Sequence, residues 1–261
     1  MVLWLVLLIV FTILIRLSVF NDTNGYKTNI FHSISQIRSH PNIHSDFAGI
    51  PPGDIVCKFA NKQDFFRPWL NRTLINLQMT PSMHRKQWEL AYIAYVVDSH
   101  KLCRKGKRGM VWAAGRERLI SYFASKECHI TASDMDYSQA SKTGWVKTNQ
   151  HSATKDQLWF PQLVDRVTFD NKVTFRAEDM NYVPPDLTME PKFDFIWSTC
   201  SVEHIGSITL GMRFIINAMA TVKPGGIAIH TMEFTQSSLD QTVEQGGTVF
   251  WRKRDILRLQ Q

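Results

Sequence analysis

"VWAAGRERLISYFASKECHITASDMD", residues 111–136, reads as a strand, a tight turn, a helix and a second strand that ends in acid. The first strand is "GMVWA" (Gly109 to Ala113), and Leu119, Ile120, Tyr122 and Phe123 mark one face of the helix. The second strand is "HITASD" (His129 to Asp134). Units of this shape open nucleotide-binding folds, where glycines let backbone amides and a helix N-terminus approach the ligand. A dinucleotide needs G-x-G-x-x-G, whereas "AAGRER" offers only Gly115 and sets Glu117 where an anionic pyrophosphate would be repelled. NAD is therefore disfavoured.

The same alternation continues on both sides. Trp88, Ala91, Ile93, Ala94, Val96 and Val97 recur at helical spacing between His84 and His100. "KVTFRAED" (Lys172 to Asp179) is a third strand and "FDFIWST" (Phe193 to Thr199) a fourth. A helix with Leu210, Phe214, Ile215, Ala218, Met219 and Val222 on its buried side follows, and "KPGG" (Lys223 to Gly226) reads as its glycine stop. "IAIHTM" (Ile227 to Met232) is a fifth strand. Apolar strands separated by helices predict an α/β, doubly wound, mostly parallel sheet covered on both faces.

Ligands of such sheets bind beyond the carboxyl ends of the strands, which selects the residues to consider. Ala113, Gly115 and Glu117 follow the first strand. Asp134, 19 residues beyond Gly115, stands where an acid hydrogen-bonds ribose hydroxyls. In "AEDM", Asp179 can accept from an adenine amino group while Met180 packs on the ring. Cys200, Glu203 and His204 follow the fourth strand and Glu233 the fifth. A nucleoside without phosphates and with a cationic centre suits this set, which points to S-adenosyl-L-methionine (SAM).

"FDFIWSTCSVEHIGSITLGMRFIINAMATVKPGGIAIHTMEF" resembles the second half of the class I SAM-dependent methyltransferase core. More narrowly it is similar to a family that reads "FDF-WS-C-EHLGS … G-F … LKPGG-A-HTTEF". "WELAYIAYVV", "GMVWAAGRERLISYFA", "ITASDMD" and "FRAEDMNYVPPDL" fall in that family's order, so the likeness runs from about Gln87 to Arg258. It implies a Rossmann-like methyltransferase fold, SAM as methyl donor, Gly115 in the cofactor loop, Asp134 at the ribose and Asp179 at the adenine. Two departures stand out. Ala113 replaces the first glycine of the family's cofactor loop, which predicts weaker SAM binding. The chain also ends in "WRKRDILRLQQ", read as a helix, where the class adds two strands; the expectation is a C-terminally truncated sheet whose fifth strand has an open edge.

Methyl transfer needs alignment of donor and acceptor and, for an oxygen acceptor, removal of a proton. His204 is the candidate base and Glu203 the carboxylate that fixes its tautomer; the competing reading has them cap the following helix or hold the loop. His230, Trp112 and Trp197 lie within apolar strands and read as core. Glu233 is open between substrate contact and structure. The acceptor reads as a glycan or a small-molecule hydroxyl. The rival to an enzyme is a catalytically degenerate, membrane-tethered module that binds a partner.

The rest of the chain bounds these readings. It has 261 residues, a formal net charge of +7 and an apolar fraction of 44%. Lys and Arg are scattered apart from "RKGKR" (Arg104 to Arg108) and "WRKRD" (Trp251 to Asp255), which read as solvated surface, so no nucleic-acid partner is expected. Cys57, Cys103, Cys128 and Cys200 show no metal-ligand spacing, and no metal is expected. "VLWLVLLIVFTILIRLSVF" (Val2 to Phe20) would span roughly 28 Å as a helix, about one bilayer core. It reads as a membrane anchor or signal segment, with the lack of a basic n-region favouring a single-pass anchor; Arg16 and Lys27 on its C-terminal flank favour a cytosolic body, whereas sequons at Asn21 and Asn71 fit a body in the secretory pathway, and the orientation stays open. The expected division is therefore 1–20 hydrophobic helix, 21–82 stem, and 83–261 SAM-binding domain.

Overall fold

Apolar runs of five to seven residues become the parallel strands of one sheet, and the amphipathic stretches between them become its helices. The structure is a computed structural model that describes residues 9–16, 57–189, 192–236 and 240–259. The first elements are β1 (Ile9–Arg16), β2 (Cys57–Phe59), α1 (Pro68–Asn76) and α2 (Arg85–Ser99). Then come β3 (Arg108–Trp112), α3 (Leu119–Ser125), β4 (His129–Asp134), α4 (Tyr137–Thr143), α5 (Arg166–Lys172) and β5 (Val173–Ala177). The C-terminal part holds α6 (Pro185–Thr188), β6 (Phe193–Thr199), β7 (Gly206–Ser207), α7 (Ile208–Met219), β8 (Val222–Phe234), β9 (Gln245–Gly246) and α8 (Lys253–Arg258).

The main sheet has the order β2-β1-β8-β6-β3-β4-β5, with β5, β4, β3, β6 and β8 parallel. The chain runs outward from β3 through β4 to β5 and then returns to β6 on the other side of β3. The strand order thus reverses between β3 and β6, where doubly wound sheets place their crevice. Alternation along the strands feeds two cores. Val111, Phe195, Trp197, Ile227 and Ile229 face α2 and α3, whereas Met110, Trp112, Ile196, Ala228 and Met232 pack with Phe214 and Ile215 of α7. The α/β expectation and all five strand positions hold, and Trp112, Trp197 and His230 are buried core as expected.

Four expectations change. Ile9–Arg16, read as part of a membrane helix, form a strand antiparallel to β8, from Ile9 opposite Phe234 to Arg16 opposite Ile227. A run of apolar and β-branched residues satisfies a strand as well as a helix, and the nonlocal edge of β8 decides between them. The remainder of 1–20 lies outside the described residues; among the described residues no helix is long and apolar enough to cross a membrane. β8 consequently has no open edge, because β1 and then β2 continue the sheet. The described part of the expected stem contributes to the core: α1 packs on α2 and buries Leu70 and Leu74 with Trp88. Finally, "KPGG" does not cap α7, which ends at Met219 with Ala220 still helical; Lys223 to Gly226 instead form the irregular start of β8, opposite a register shift at Phe193 to Phe195.

Candidate active site

At the carboxyl tips of β3, β4, β5 and β6 lies a cleft of about 630 Å³. Ala113, Gly115, Glu117, Asp134, Asp179, Met180, Cys200 and His204 all line it, so the strand-tip selection made from sequence brings eight of ten candidates to one place. The other two, Glu203 and Glu233, are buried behind the wall beside Cys200.

The β3 turn is built on left-handed backbone. Ala113 has φ +52° and Gly115 φ +52°. A Cβ on Gly115 would stand 2.9 Å from the Gln150 carbonyl oxygen, so only glycine fits. Asp134 ties this turn down: its Oδ2 accepts from the Gly115 N–H (3.0 Å) and the Ser152 N–H (3.1 Å), and its Oδ1 from the Met135 N–H (2.9 Å). Burial raises the Asp134 carboxyl above the usual range, opposed by those backbone donors and by His151. The expectation gave this carboxylate to a ribose alone. The structure gives it a second task, leaving Oδ1 the freer oxygen for a ligand hydroxyl.

Glu117 is buried, and its Oε1 accepts from the Trp197 indole N–H. Burial pushes its carboxyl up to about 7. At the β5 tip Asp179 is exposed, with Oδ1 accepting from the Asn181 N–H (2.8 Å), while Met180 is buried against the α7 side of the core. The stretch 144–153 closes the opposite wall through Trp145, Gln150 and His151.

Beyond the cleft floor lies a group of charges that the sequence reading did not assemble. Arg85, in the first turn of α2, reaches Glu89 Oε1 (3.1 Å), Glu233 Oε1 (3.3 Å) and the Cys200 sulfur (2.8 Å). Lys86 lies 3.6 Å from Glu89 Oε2, which also accepts from the Thr231 hydroxyl (3.1 Å). Burial opposes the Arg85 charge, but Cys200, Glu89 and Glu233 outweigh it and hold the guanidinium protonated. Burial, with the Glu203 and Glu89 charges, keeps Cys200 a neutral thiol. Cys200, Glu203 and Glu233 bring potential metal ligands within 4.8 Å of one another, yet Arg85 already occupies two of the three. Cys200 itself sits at φ +51°, the second strained strand tip of the cleft.

Glu203 is the anomaly of this group. Both carboxylate oxygens are buried without a conventional hydrogen-bond donor. Burial pushes the carboxyl up to about 7, eased by its contact with the Cys200 thiol. His204 is half-buried, and its Nδ1 is set 2.9 Å from the Gly247 carbonyl, so that nitrogen carries the proton. Nε2 is left as the acceptor, 4.0 Å from Glu203 Oε1. Burial lowers the His204 pKa, which keeps the imidazole neutral near pH 7. Neither residue is a helix cap, since the α7 N-cap is Ser207, whose hydroxyl accepts from the Leu210 N–H; both do hold the loop, His204 through Gly247 and the Glu203 carbonyl by accepting from the Val249 N–H (2.9 Å).

Sequence reasoning missed Arg85, Lys86 and Glu89. A legible signal existed, since Glu89 falls on the helical stripe of Ile93, Val96 and Val97, where a buried acid demands partners.

Fold and cleft together define a doubly wound, Rossmann-like α/β domain with one enclosed site at its switch point. No family model matches the chain, and no curated protein does. Solved structures do resemble it. A SAM-dependent methyltransferase from Aquifex aeolicus is 16% identical with a TM-score of 0.35, covering 57% of this chain and 66% of its own. The glycopeptide N-methyltransferase MtfA gives 13% and 0.42, over 64% and 61%. The [4+2]-cyclase SpnF gives 15% and 0.44, over 65% and 55%. MtfA has been solved with SAM and with sinefungin. The chain spans between half and two thirds of the length of these proteins.

Proposed function

We propose that the protein is a SAM-dependent methyltransferase whose acceptor is a hydroxyl, on a glycan or a small molecule. The observation that carries this reading is convergence: the β3 turn, Asp134, Asp179 with Met180, and the Cys200 to His204 segment share one cleft. The donor set fits the cofactor. Glu117, Asp134, Glu178 and Asp179 line the cleft alongside Lys86, Arg116 and Arg118, a mixed wall that suits a sulfonium and an amino-acid end better than a pyrophosphate. In this reading Asp134 Oδ1 accepts from a ribose hydroxyl, Asp179 from the adenine amino group, and Met180 packs on the ring. Ala113, Gly115 and Glu117 border the amino-acid end. Bound SAM supplies an electrophilic methyl group.

The chain's own residues then handle the acceptor. His204 Nε2 takes the hydroxyl proton as the oxygen attacks, and Glu203 behind it balances or receives that proton. Cys200, at the cleft wall, contributes a neutral apolar surface rather than a thiolate.

The test is isothermal titration of the full chain with SAM, S-adenosylhomocysteine and NAD. Saturable binding of the first two and not the third is expected; absence of binding by either adenosyl ligand refutes the reading. One observation favours a second reading, a catalytically degenerate binding module: Asp134 already serves three backbone donors. That module would keep a cooperative fold yet ignore both adenosyl ligands.

A further inference from the structure

A second cavity, of about 370 Å³, opens at the opposite ends of the same strands. Arg108 begins β3 and His129 begins β4, and the two are paired in register. Lys172 is the last residue of α5, directly before β5. Thr131 and Thr174 are likewise paired in register, and with Asn171 they complete the donors around the opening. No Asp or Glu is among the lining residues.

The "RKGKR" run, expected to be solvated surface, divides here. Lys105 is paired with Glu127 (3.2 Å) and Lys107 with Asp194 (2.9 Å). Arg108 only lies over the Phe193 ring, 5.9 Å from its centroid, while its backbone N–H donates to Asp194. Lys172 Nζ approaches His129 Nε2 at 3.3 Å. Among the described residues, no carboxylate stands within ion-pair distance of Arg108 or Lys172. Lys172 thus stands against the His129 imidazole while Arg108 lines the same cavity, and no carboxylate among the lining residues offsets the two cations. Partial burial and then the Lys172 and Arg108 charges lower the His129 pKa, so the ring is held neutral. Such an arrangement gains from a negative charge placed between the cations.

We propose that this cavity binds a tetrahedral oxyanion, a phosphate or sulfate group, between Arg108 and Lys172, with His129, Thr131 and Thr174 as further donors. The fork of Arg108 suits two oxygens of such a group, and the ammonium and hydroxyls suit the rest. The site is separate from the adenosyl cleft, since it lies at the amino ends of strands whose carboxyl ends carry that cleft.

The reporter is the His129 ring, followed by NMR in the full chain and assigned with His129→Asn. Its pKa is measured in chloride, then at equal ionic strength in sulfate, in inorganic phosphate and in glycerol 1-phosphate. Bound oxyanion between the cations raises the His129 pKa by about one unit. The double variant Arg108→Gln/Lys172→Gln should start from a higher value in chloride and lose at least about tenfold in anion affinity. Tighter binding of the ester than of inorganic phosphate identifies a phosphorylated or sulfated ligand, and equal binding identifies the free ion; both support the site. A His129 pKa that is the same in every anion, or a rise that survives unchanged in the double variant, overturns the proposal.

Discussion

Replacing Glu203 by Gln should make the protein more stable and less active, and the stability gain should depend on pH. The Glu203 carboxyl titrates at about 7 in the folded chain against 4.5 for the unperturbed group. Below pH 4.5 both the folded and unfolded chains hold this proton, so it does not alter stability. Between 4.5 and 7 the folded chain binds a proton that the unfolded chain has released, and stability falls with rising pH. Above 7 the penalty is complete. At ~1.36 kcal/mol per pH unit, that gap amounts to roughly 3 kcal/mol, the net cost of ionising a buried carboxylate that only the Cys200 thiol and its own backbone N–H ease. Glu203→Gln removes the ionisation and keeps the shape. Urea unfolding at pH 8 should show the variant more stable by about 3 kcal/mol, equivalent to a Tm rise of about 6 to 10 °C. The advantage should vanish at pH 4.5. Equal stability at pH 8, or an advantage of the same size at both pH values, would refute the burial argument. Methyl transfer by the variant should fall by at least about 100-fold, the usual contribution of a positioned proton acceptor.

Two more outcomes follow from the same geometry. Ala113→Gly removes a Cβ from left-handed backbone and should raise stability by about 1 kcal/mol with SAM affinity equal or tighter, checked by thermal melts and titration calorimetry. Arg85→Ala leaves Glu89 and Glu233 without their guanidinium partner and should cost roughly 3 kcal/mol, measured by urea unfolding, with Arg85→Lys recovering part of it.

Much of the fold was legible because its signals are local. β6, "FDFIWST", is an apolar run bounded by polar residues, and it occupies the sheet centre, where both faces are covered. The strand-tip rule then located the cleft without any contact being known. What escaped the sequence is nonlocal. Ile9–Arg16 lie more than 200 residues before their partner β8, and nothing in their own pattern separates an apolar strand from an apolar helix. Asp134 could be placed at a strand tip, but not its backbone donors at Gly115 and Ser152, which the turn and the 144–153 stretch bring together only on folding. Arg85 escaped notice because its partners are distant in sequence: the face it shares with Glu89 meets the tips of β6 and β8.

Charge accounting in the buried cluster explains why Glu203 lacks a donor. Glu89 and Glu233 are matched by Arg85 and Lys86, and Cys200 is neutral, so the cluster balances when Glu203 is protonated and carries one excess negative charge when it is not. A hydrogen-bond donor beside Glu203 would stabilise the ionised form and pull its pKa back toward the ordinary carboxylate range. Withholding that donor keeps the carboxylate ready to accept a proton near pH 7. An excess negative charge is also the state that complements a cationic methyl donor, and proton uptake removes it as the donor's charge is lost. Glu203→Gln fixes the cluster in its balanced form, so the model requires a weaker preference for SAM over uncharged S-adenosylhomocysteine in that variant. An unchanged ratio of the two affinities, measured by titration above pH 7, would separate Glu203 from the cofactor's charge.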